Sequence, residues 1–306
     1  MKSKKNAPIK QESITDRAPK PVAQVFIWIF LIIWALLNLF PIYFMFTFSL
    51  KSNEEIFGAN IIGLPREWLW SNYSAAMNTG RMWLYFVNSI LVTVASIAIS
   101  IMAGMMATYA INRIRWKFSK LTNAFFMLGL TIPIQASIVP VYVLLSKASK
   151  VPVLNMVIGL NRYTTLIIPY AAFSLSMAIL ISTGFMVEIP SALDEAARID
   201  GASKWQCFKS ITFPMVFHLS VPLVISSFAA NFNNFGNIYM ITQGGPARVD
   251  NQFAGYTDIL ASTTYKMTTW SNRYELSATF SVLIFLIVGT FTLANMHFSG
   301  QFKEVD

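Results

Sequence analysis

The chain has 306 residues, a formal net charge of +9 and one cysteine, Cys207; 55% of its residues are hydrophobic and only 12% are charged. A soluble globular domain carries roughly 25% charged residues, so this deficit indicates lipid as the main solvent. The basic residues lie between apolar runs without an aromatic-interleaved face, which argues against nucleic acid, and one cysteine excludes an intrachain disulfide and a multi-cysteine metal site.

Six charge-poor apolar runs predict an all-α integral membrane protein with six transmembrane helices. Each run is long enough to cross about 30 Å of hydrocarbon as roughly 20 helical residues. A basic tail, 1–23, precedes the transmembrane domain, 24–302, and a short C-terminus, 303–306, follows it. The predicted helices cover 25–48, 84–111, 121–145, 164–186, 213–238 and 277–297. Prolines inside or near these helices predict kinks or ends, which membrane helices tolerate: Pro41, Pro133, Pro140, Pro169 and Pro222.

The distribution of Lys and Arg predicts the orientation of the chain. With the N-terminus inside, the inside segments hold 14 of these residues and the longer outside segments hold 9, which together make the 23 in the chain. Inside loops carry the excess of positive charge in membrane proteins. We therefore expect both termini, and the polar loop 188–214, on the cytoplasmic side.

That polar loop is a charged island between two apolar runs, and it has its own helix signals. Ser191 is predicted as an N-cap with Asp194 as its capping-box partner, and Gly201 as the residue that ends the helix. Ser203 and Gln206 repeat the capping-box spacing. The loop therefore predicts two short helices joined at Gly201 and lying against a membrane surface.

Polar residues inside the predicted spans are costly in lipid, which makes them candidates for function. Asn231, Asn234 and Ile238 fall on one face of the fifth predicted helix, and Tyr170, Ser174 and Met177 on one face of the fourth. The asparagines fit either hydrogen-bonded contacts between helices or a polar lining for sugar hydroxyls, with Phe232 and Phe235 as stacking platforms. The fourth-helix face fits ordinary packing equally well. For Gln135, a broken third helix and a ligand site are both open.

The island also carries a resemblance to a known family. Glu195-Ala196-Ala197, then Gly201 after three residues, then Ile211, Phe213 and Pro214 at fixed spacing, resembles the EAA loop of permease subunits of bacterial ABC importers. The family pattern has Leu where this chain has Phe213.

Further segments resemble the sugar-importing branch of that family. Up to about residue 215, the chain is similar to the shorter permease of maltose-type systems, in the segments Pro41-Ile-Tyr-Phe, Ser49 to Phe57, Trp70-Ser-Asn-Tyr73 and Asn88-Ser89. Downstream it resembles the longer, maltodextrin-contacting permease, on the evidence of Asn231 to Phe235, Gly244-Gly245-Pro246 and Gly255 to Leu260.

The resemblance implies a type I ABC importer fold in the bacterial cytoplasmic membrane. It implies a second permease, two copies of an ATPase that bind ATP and Mg, an extracytoplasmic sugar-binding protein and an oligosaccharide as partners, besides membrane lipid. It assigns coupling to the ATPase to Glu195, Ala196, Ala197, Asp200 and Gly201. It assigns sugar contacts to Tyr170, Ser174, Asn231 and Asn234.

Two other classes of protein were weighed against this one. An ATPase-independent secondary transporter or channel usually has ionisable residues within its spans for ion coupling, and the predicted spans have none. A membrane-embedded enzyme would need a catalytic cluster at membrane depth, and none is evident. The sequence also has no GxxxxGK phosphate loop, so we expect no enzyme activity, no metal and no cofactor in this chain.

Overall fold

The structure is a computed structural model that describes residues 21–160 and 163–298. Helices make up nearly all of its regular structure. In chain order they are α1 (Pro21–Phe48), α2 (Asn53–Phe57), α3 (Ser71–Asn78), α4 (Met82–Asn112), α5 (Ser119–Leu128), α6 (Ile134–Ala148), α7 (Pro152–Ile158), α8 (Tyr163–Glu188), α9 (Ser191–Ile199), α10 (Lys204–Cys207), α11 (Phe213–Phe232), α12 (Gly236–Ile241), α13 (Leu260–Thr269) and α14 (Tyr274–Phe298), with a π-helical turn, Phe208–Thr212, before α11.

Within the described residues, four helices are long and apolar enough to cross a membrane: α1, α4, α8 and α14. They correspond to the first, second, fourth and sixth predicted spans. A bent pair of segments, Lys204–Pro222 and Val224–Phe232, meets at 56° and makes a fifth span if it is counted as one. Pro222 explains the bend, because its ring removes one helical hydrogen bond and clashes with the preceding turn.

Two predicted spans are wrong as continuous helices. The third, 121–145, is divided into α5 and α6, because Pro133 cannot donate a backbone hydrogen bond and disfavours helical geometry in the residue before it. Of the two readings of Gln135, the broken helix is therefore confirmed. The fifth, 213–238, stops at Phe232, and α12 begins only at Gly236. Consecutive asparagines compete for the backbone there, so Asn231 and Asn234 do not share one helix.

A short antiparallel hairpin departs from the all-α prediction. It pairs β1 (Ala247–Arg248) with β2 (Asn251–Gly255), and Ala247 lies opposite Gly255. The preceding turn needs a glycine, because Gly244 has φ +77° and a Cβ there would lie 2.1 Å from the Asp258 carboxylate. The hairpin lies at the end of the molecule opposite α9; we call these the hairpin end and the α9 end.

The centre of the fold is the close packing of α4 on α8, where small and hydroxyl side chains allow the two backbones to approach. A Cβ added at Gly104 would lie 2.9 Å from the Cβ of Ala178. Thr108 Oγ1 donates a hydrogen bond to the Ile179 carbonyl at 3.4 Å. Small residues and interhelical hydrogen bonds of this kind hold helices together where the hydrophobic effect gives no help.

Candidate functional site

The polar loop folds as two short helices joined at Gly201, as predicted. Gly201 has φ +91°, the left-handed conformation that follows many helix ends. The next residue closes the turn, because the Ala202 N–H donates to the Ala197 carbonyl at 2.9 Å. The predicted second capping box is confirmed: Ser203 Oγ accepts from the Gln206 N–H, and Gln206 Oε1 accepts from the Ser203 N–H at 2.8 Å.

The predicted cap at the start of α9 is wrong. Pro190 occupies the N-cap position without a side-chain hydrogen bond, and Ser191 is already helical. Asp194 is buried and does not cap: its Oδ2 lies 3.3 Å from Arg113 Nε, and its Oδ1 accepts from Thr212 Oγ1 at 3.4 Å. Arg113 attracts the carboxylate more strongly in this largely buried position than backbone N–H groups at an exposed cap would, because the local dielectric constant is lower.

The residues assigned to ATPase coupling form one largely exposed surface. Glu195, Ala196, Asp200 and Gly201 are exposed, and Ala197 is half-buried. Ile199 stands out among them with 86% of its surface exposed. These residues are therefore accessible to a partner at the surface of the chain.

The two short helices rest on a hydrophobic cluster at the α9 end, which we call the seat. Its buried members come from α4, α8, α10, α11 and their flanking residues: Met105, Tyr109, Met186, Ile189, Cys207, Phe208 and Val216. Phe208 is central, with ring centroids 5.4 Å from both Tyr109 and Trp205. Cys207 is a fully buried small residue here, which suits packing rather than reactivity. The seat joins α9 to the ends of three long helices.

A cavity of about 240 Å³ lies between α4, α8 and α11, and two of the four predicted sugar-contacting residues, Ser174 and Asn231, line it. The Asn231 side chain donates to the Ser227 carbonyl of its own helix at 2.9 Å, which leaves its oxygen free to accept. Four more serines line the same cavity: Ser100, Ser182, Ser220 and Ser227. Met105 and Ile101 line it too, and both also belong to the seat or pack against it.

The other two predicted sugar contacts, Tyr170 and Asn234, are not among the residues that line this cavity; Tyr170 lies on α8, four residues before Ser174, and Asn234 lies in the break after α11. Tyr170 is buried, and its hydroxyl donates to the Asn234 carbonyl. That bond ties α8 to the break after α11. The Tyr170 hydroxyl is therefore occupied in this conformation, whereas the Asn234 side chain takes no part in that bond.

The two phenylalanines considered as sugar platforms are engaged elsewhere in this conformation. Phe232 is fully buried and stacks on Phe228, with ring centroids 5.6 Å apart. Phe235 stacks on Tyr265 at 4.9 Å. Sequence reasoning missed the additional cavity serines. Their signal was helical spacing: Ser220 and Ser227 lie seven residues apart, and Ser174 and Ser182 lie eight apart.

At the hairpin end, the segment 256–260 is held by polar contacts to α4. Asn88 Nδ2 donates to the Asp258 carbonyl at 2.8 Å, and Ser89 Oγ accepts from the Leu260 N–H at 3.0 Å. Asp258 forms a buried ion pair with Lys266 at 2.6 Å. The two parts of the chain that resemble different permeases therefore interlock here.

The hairpin itself carries an exposed charged surface. Arg248 Nε and Nη2 donate to the two carboxylate oxygens of Asp250 at 2.9 and 3.0 Å, and Arg81 contacts the same carboxylate. The hydrogen bonds from Arg248 lower the pKa of Asp250 below its ordinary value. Among the described residues, no group of three or more His, Cys, Asp or Glu side chains could hold a metal ion.

The family of the chain follows from its sequence. Residues 100–298 match the family described as binding-protein-dependent transport system inner membrane component, and this is more than half of the chain. The chain therefore belongs to that family. With its several apolar helices, it is a multi-pass membrane protein.

Known relatives match this chain either over most of its length at lower identity or over a shorter stretch at higher identity. The chain is 28% identical over 231 residues to the diacetylchitobiose uptake system permease protein NgcG of Streptomyces coelicolor, covering 72% of this chain and 73% of that protein. It is 44% identical over 120 residues to the maltose/maltodextrin transport system permease protein MalF of Vibrio cholerae, covering 38% of this chain but only 23% of that protein. The stronger similarity is therefore confined to a short stretch.

A solved structure shares the fold. The chain aligns with a chain of the bacterial alginate ABC transporter in complex with alginate pentasaccharide-bound periplasmic protein, with a TM-score of 0.65 and 14% identity. The alignment covers 94% of this chain and 99% of that chain. The fold is therefore that of a type I ABC importer permease.

Proposed function

We propose that the chain is a transmembrane subunit of an ATP-driven importer of a maltodextrin-like oligosaccharide. One observation carries this proposal: the exposed Glu195-to-Gly201 surface rests on the seat, and the seat shares Met105 with the wall of a polar cavity. A partner that pushes on α9 would therefore act on the helices around the cavity. Membership of the transport family and the sugars named for its relatives support the same function.

The proposal assigns energy input to a separate chain. A cytoplasmic ATPase dimer would bind ATP and Mg, and this chain would carry neither, nor any enzyme activity of its own. Ala196 and Ala197 allow close approach of the ATPase, Glu195 and Asp200 offer anionic contacts, and Gly201 provides the sharp turn between the two helices. The α9 end would face the cytoplasm of a bacterium, together with both chain termini, in the cytoplasmic membrane.

The proposal places the sugar in the cavity between α4, α8 and α11. Ser174 and Asn231 would contact its hydroxyls directly, since amide and hydroxyl groups can both donate and accept. Tyr170 and Asn234 would join them when their mutual hydrogen bond opens. A second permease would complete the pathway, and an extracytoplasmic sugar-binding protein would deliver the sugar at the hairpin end.

Co-expression with the partner permease, ATPase and binding protein tests this function through sugar uptake. Glu195→Lys and Gly201→Asp should each abolish uptake while leaving the chain inserted in the membrane at wild-type amounts. Uptake that survives both changes would refute the coupling role. The alternative, a secondary transporter or channel, would be supported by sugar uptake into vesicles that contain this chain alone and no ATP.

A further inference from the structure

Arg113, the first residue after α4, connects three elements at the α9 end. Its Nη2 donates to the carbonyls of Met186 at 3.3 Å and Ile189 at 2.5 Å, at the C-terminal end of α8. The last carbonyls of a helix have no partner within the helix, and the helix dipole favours a cation beside them. Arg113 therefore holds the end of α8 against the end of α4.

Asp194 extends this connection to α9 and α11. Its carboxylate faces the Arg113 guanidinium at 3.3 Å, and both side chains are close to nine-tenths buried, with 11% and 12% of their surfaces exposed. The two atoms are not aligned as a hydrogen bond, so their attraction is electrostatic. Thr212, just before α11, donates to the other carboxylate oxygen. One ion pair thus lies where α4, α8, α9 and α11 meet.

We propose that Arg113 and Asp194 are positioning residues that make the coupling helix α9 move as one body with the helices around the cavity. The inference rests on the proposed function. Without the pair, α9 would still rest on the apolar seat, but apolar contacts are non-directional and allow sliding. Hydrogen bonds from Arg113 to the α8 carbonyls and from Thr212 to Asp194 hold the two charged groups in place, so their attraction keeps α9 in one position relative to α4, α8 and α11. A displacement of α9 by the ATPase then moves α4, α8 and α11 with it. Without the pair, the loop would rotate and these helices would stay in place.

The competing reading is that the pair serves stability alone. Removing one partner of a buried pair leaves an uncompensated charge and is strongly destabilising, whereas removing both charges is close to neutral. A double variant therefore distinguishes the two roles, because it should keep the stability of the complex and lose the coupling. Arg113→Met/Asp194→Leu replaces both charges by apolar side chains of similar size, so it has no buried charge left at this place and no polar link between the helices either.

The test compares Arg113→Gln, Asp194→Asn and the double variant with the wild type in the reconstituted importer. A matched control is Arg115→Gln, which removes the same charge from an exposed side chain two residues along the same loop. The measurements are the amount of assembled complex, the basal ATP hydrolysis and the sugar transported per ATP hydrolysed. The last ratio does not depend on how much protein is present.

We expect the double variant to assemble better than either single variant, to keep basal hydrolysis, and to transport at least fivefold less sugar per ATP. Arg115→Gln should match the wild type. If the single variants do not assemble, the double variant decides: a normal ratio of sugar to ATP in it would overturn the inference. A wild-type complex without ATP-dependent uptake would instead refute the proposed function itself.

A milder variant provides a second measurement. Arg113→Lys keeps the positive charge but lacks the planar fork that reaches the α8 carbonyls and Asp194 together. The backbone amides of α9 should then exchange hydrogen at least fivefold faster than in the wild type, and the ratio of sugar to ATP should fall. Unchanged exchange with an unchanged ratio would contradict the positioning role.

Discussion

Two buried carboxylates in the described part of the chain are each paired with a buried or nearly buried cation; a third, Glu275, is buried beside the more exposed Arg273. Asp194 meets Arg113 at the α9 end, and Asp258 meets Lys266 at the hairpin end. Asp258 also accepts hydrogen bonds from the Gly255 N–H at 2.7 Å and from Ser262 Oγ at 2.7 Å. A carboxylate with this many partners organises the surrounding loop as well as neutralising a charge.

Removing the charge of Asp258 should therefore destabilise the protein strongly. Asp258→Asn leaves the Lys266 ammonium buried without a counter-charge, which costs about 3–5 kcal/mol. The expected result is a lower thermal unfolding temperature for the detergent-solubilised protein. Asp250→Asn is the matched control, since Asp250 is exposed and its ion pairs with Arg81 and Arg248 contribute little, so it should lower the unfolding temperature much less. Equal effects of the two substitutions would contradict the role of the buried pair.

Asn231 is the polar residue whose removal should affect sugar most directly. Asn231→Ala deletes an amide from the cavity wall, and the loss of one hydrogen bond of about 1 kcal/mol should raise the sugar concentration for half-maximal ATPase stimulation roughly fivefold. Asn233→Ala provides the control, because Asn233 is exposed in the break after α11. Unchanged stimulation in Asn231→Ala would indicate that its amide serves helix packing alone. Asn234→Ala should weaken stimulation as well, if Asn234 joins the site during transport.

Among the helices, α9 depends on backbone geometry at a single glycine. Gly201 has open space around it, so a Cβ would clash with nothing, yet its φ of +91° is strained for any other residue. Gly201→Ala should therefore cost about 1–2 kcal/mol from the backbone alone and loosen the turn between α9 and α10. Faster hydrogen exchange of the Ala202 amide and reduced uptake would show this.

Gly184→Ala is the matched control for that change. Gly184 lies inside α8, also has open space around it, and does not have a positive φ. Alanine is the better helix former, so this substitution should be neutral or slightly stabilising. If both glycine substitutions slowed uptake equally, the special role of the turn at Gly201 would be contradicted.

The sequence predicts helices well where one kind of signal acts alone. Long apolar runs identify α1, α4, α8 and α14 to within a few residues, and Gly201 and Ser203 mark the ends of the short helices. It fails where two signals compete. Pro133 divides one apolar run, and the asparagines after Phe232 divide another. At Asp194, a capping role read from local spacing is replaced by Arg113, which is distant in sequence and close only in the fold.

Only part of the candidate site could be predicted from the sequence. The exposed surface from Glu195 to Gly201 follows from its own sequence, because it is local and lies between two helix signals. The cavity does not, because it forms where α4, α8 and α11 approach each other. One or two serines on each of three separate helices carry no sign that the helices converge until the packing is known. Phe232 illustrates the converse, since its neighbours in sequence indicated a polar site and its neighbours in space make it a core residue.

The orientation of the whole molecule can be tested with two exposed positions at opposite ends. Val249 lies on the hairpin and Ile199 at the end of α9, and both are highly exposed. In intact cells, a membrane-impermeant maleimide should label Val249→Cys, and it should label Ile199→Cys only after the membrane is permeabilised. The natural cysteine, Cys207, is buried and gives a low background. The reverse labelling pattern would refute the orientation.

Met105 faces two ways: it is one of the side chains beneath α9 and one of those around the cavity. A molecule that fills the cavity would therefore contact a residue that also supports α9. Where two sites are coupled, the coupling free energy is reciprocal, so a ligand in the cavity and a partner on α9 would change each other's affinity by an equal factor. Under the proposed function, a compound bound against Met105 should therefore inhibit ATP hydrolysis by the partner ATPase as well as sugar transport, without contacting the nucleotide.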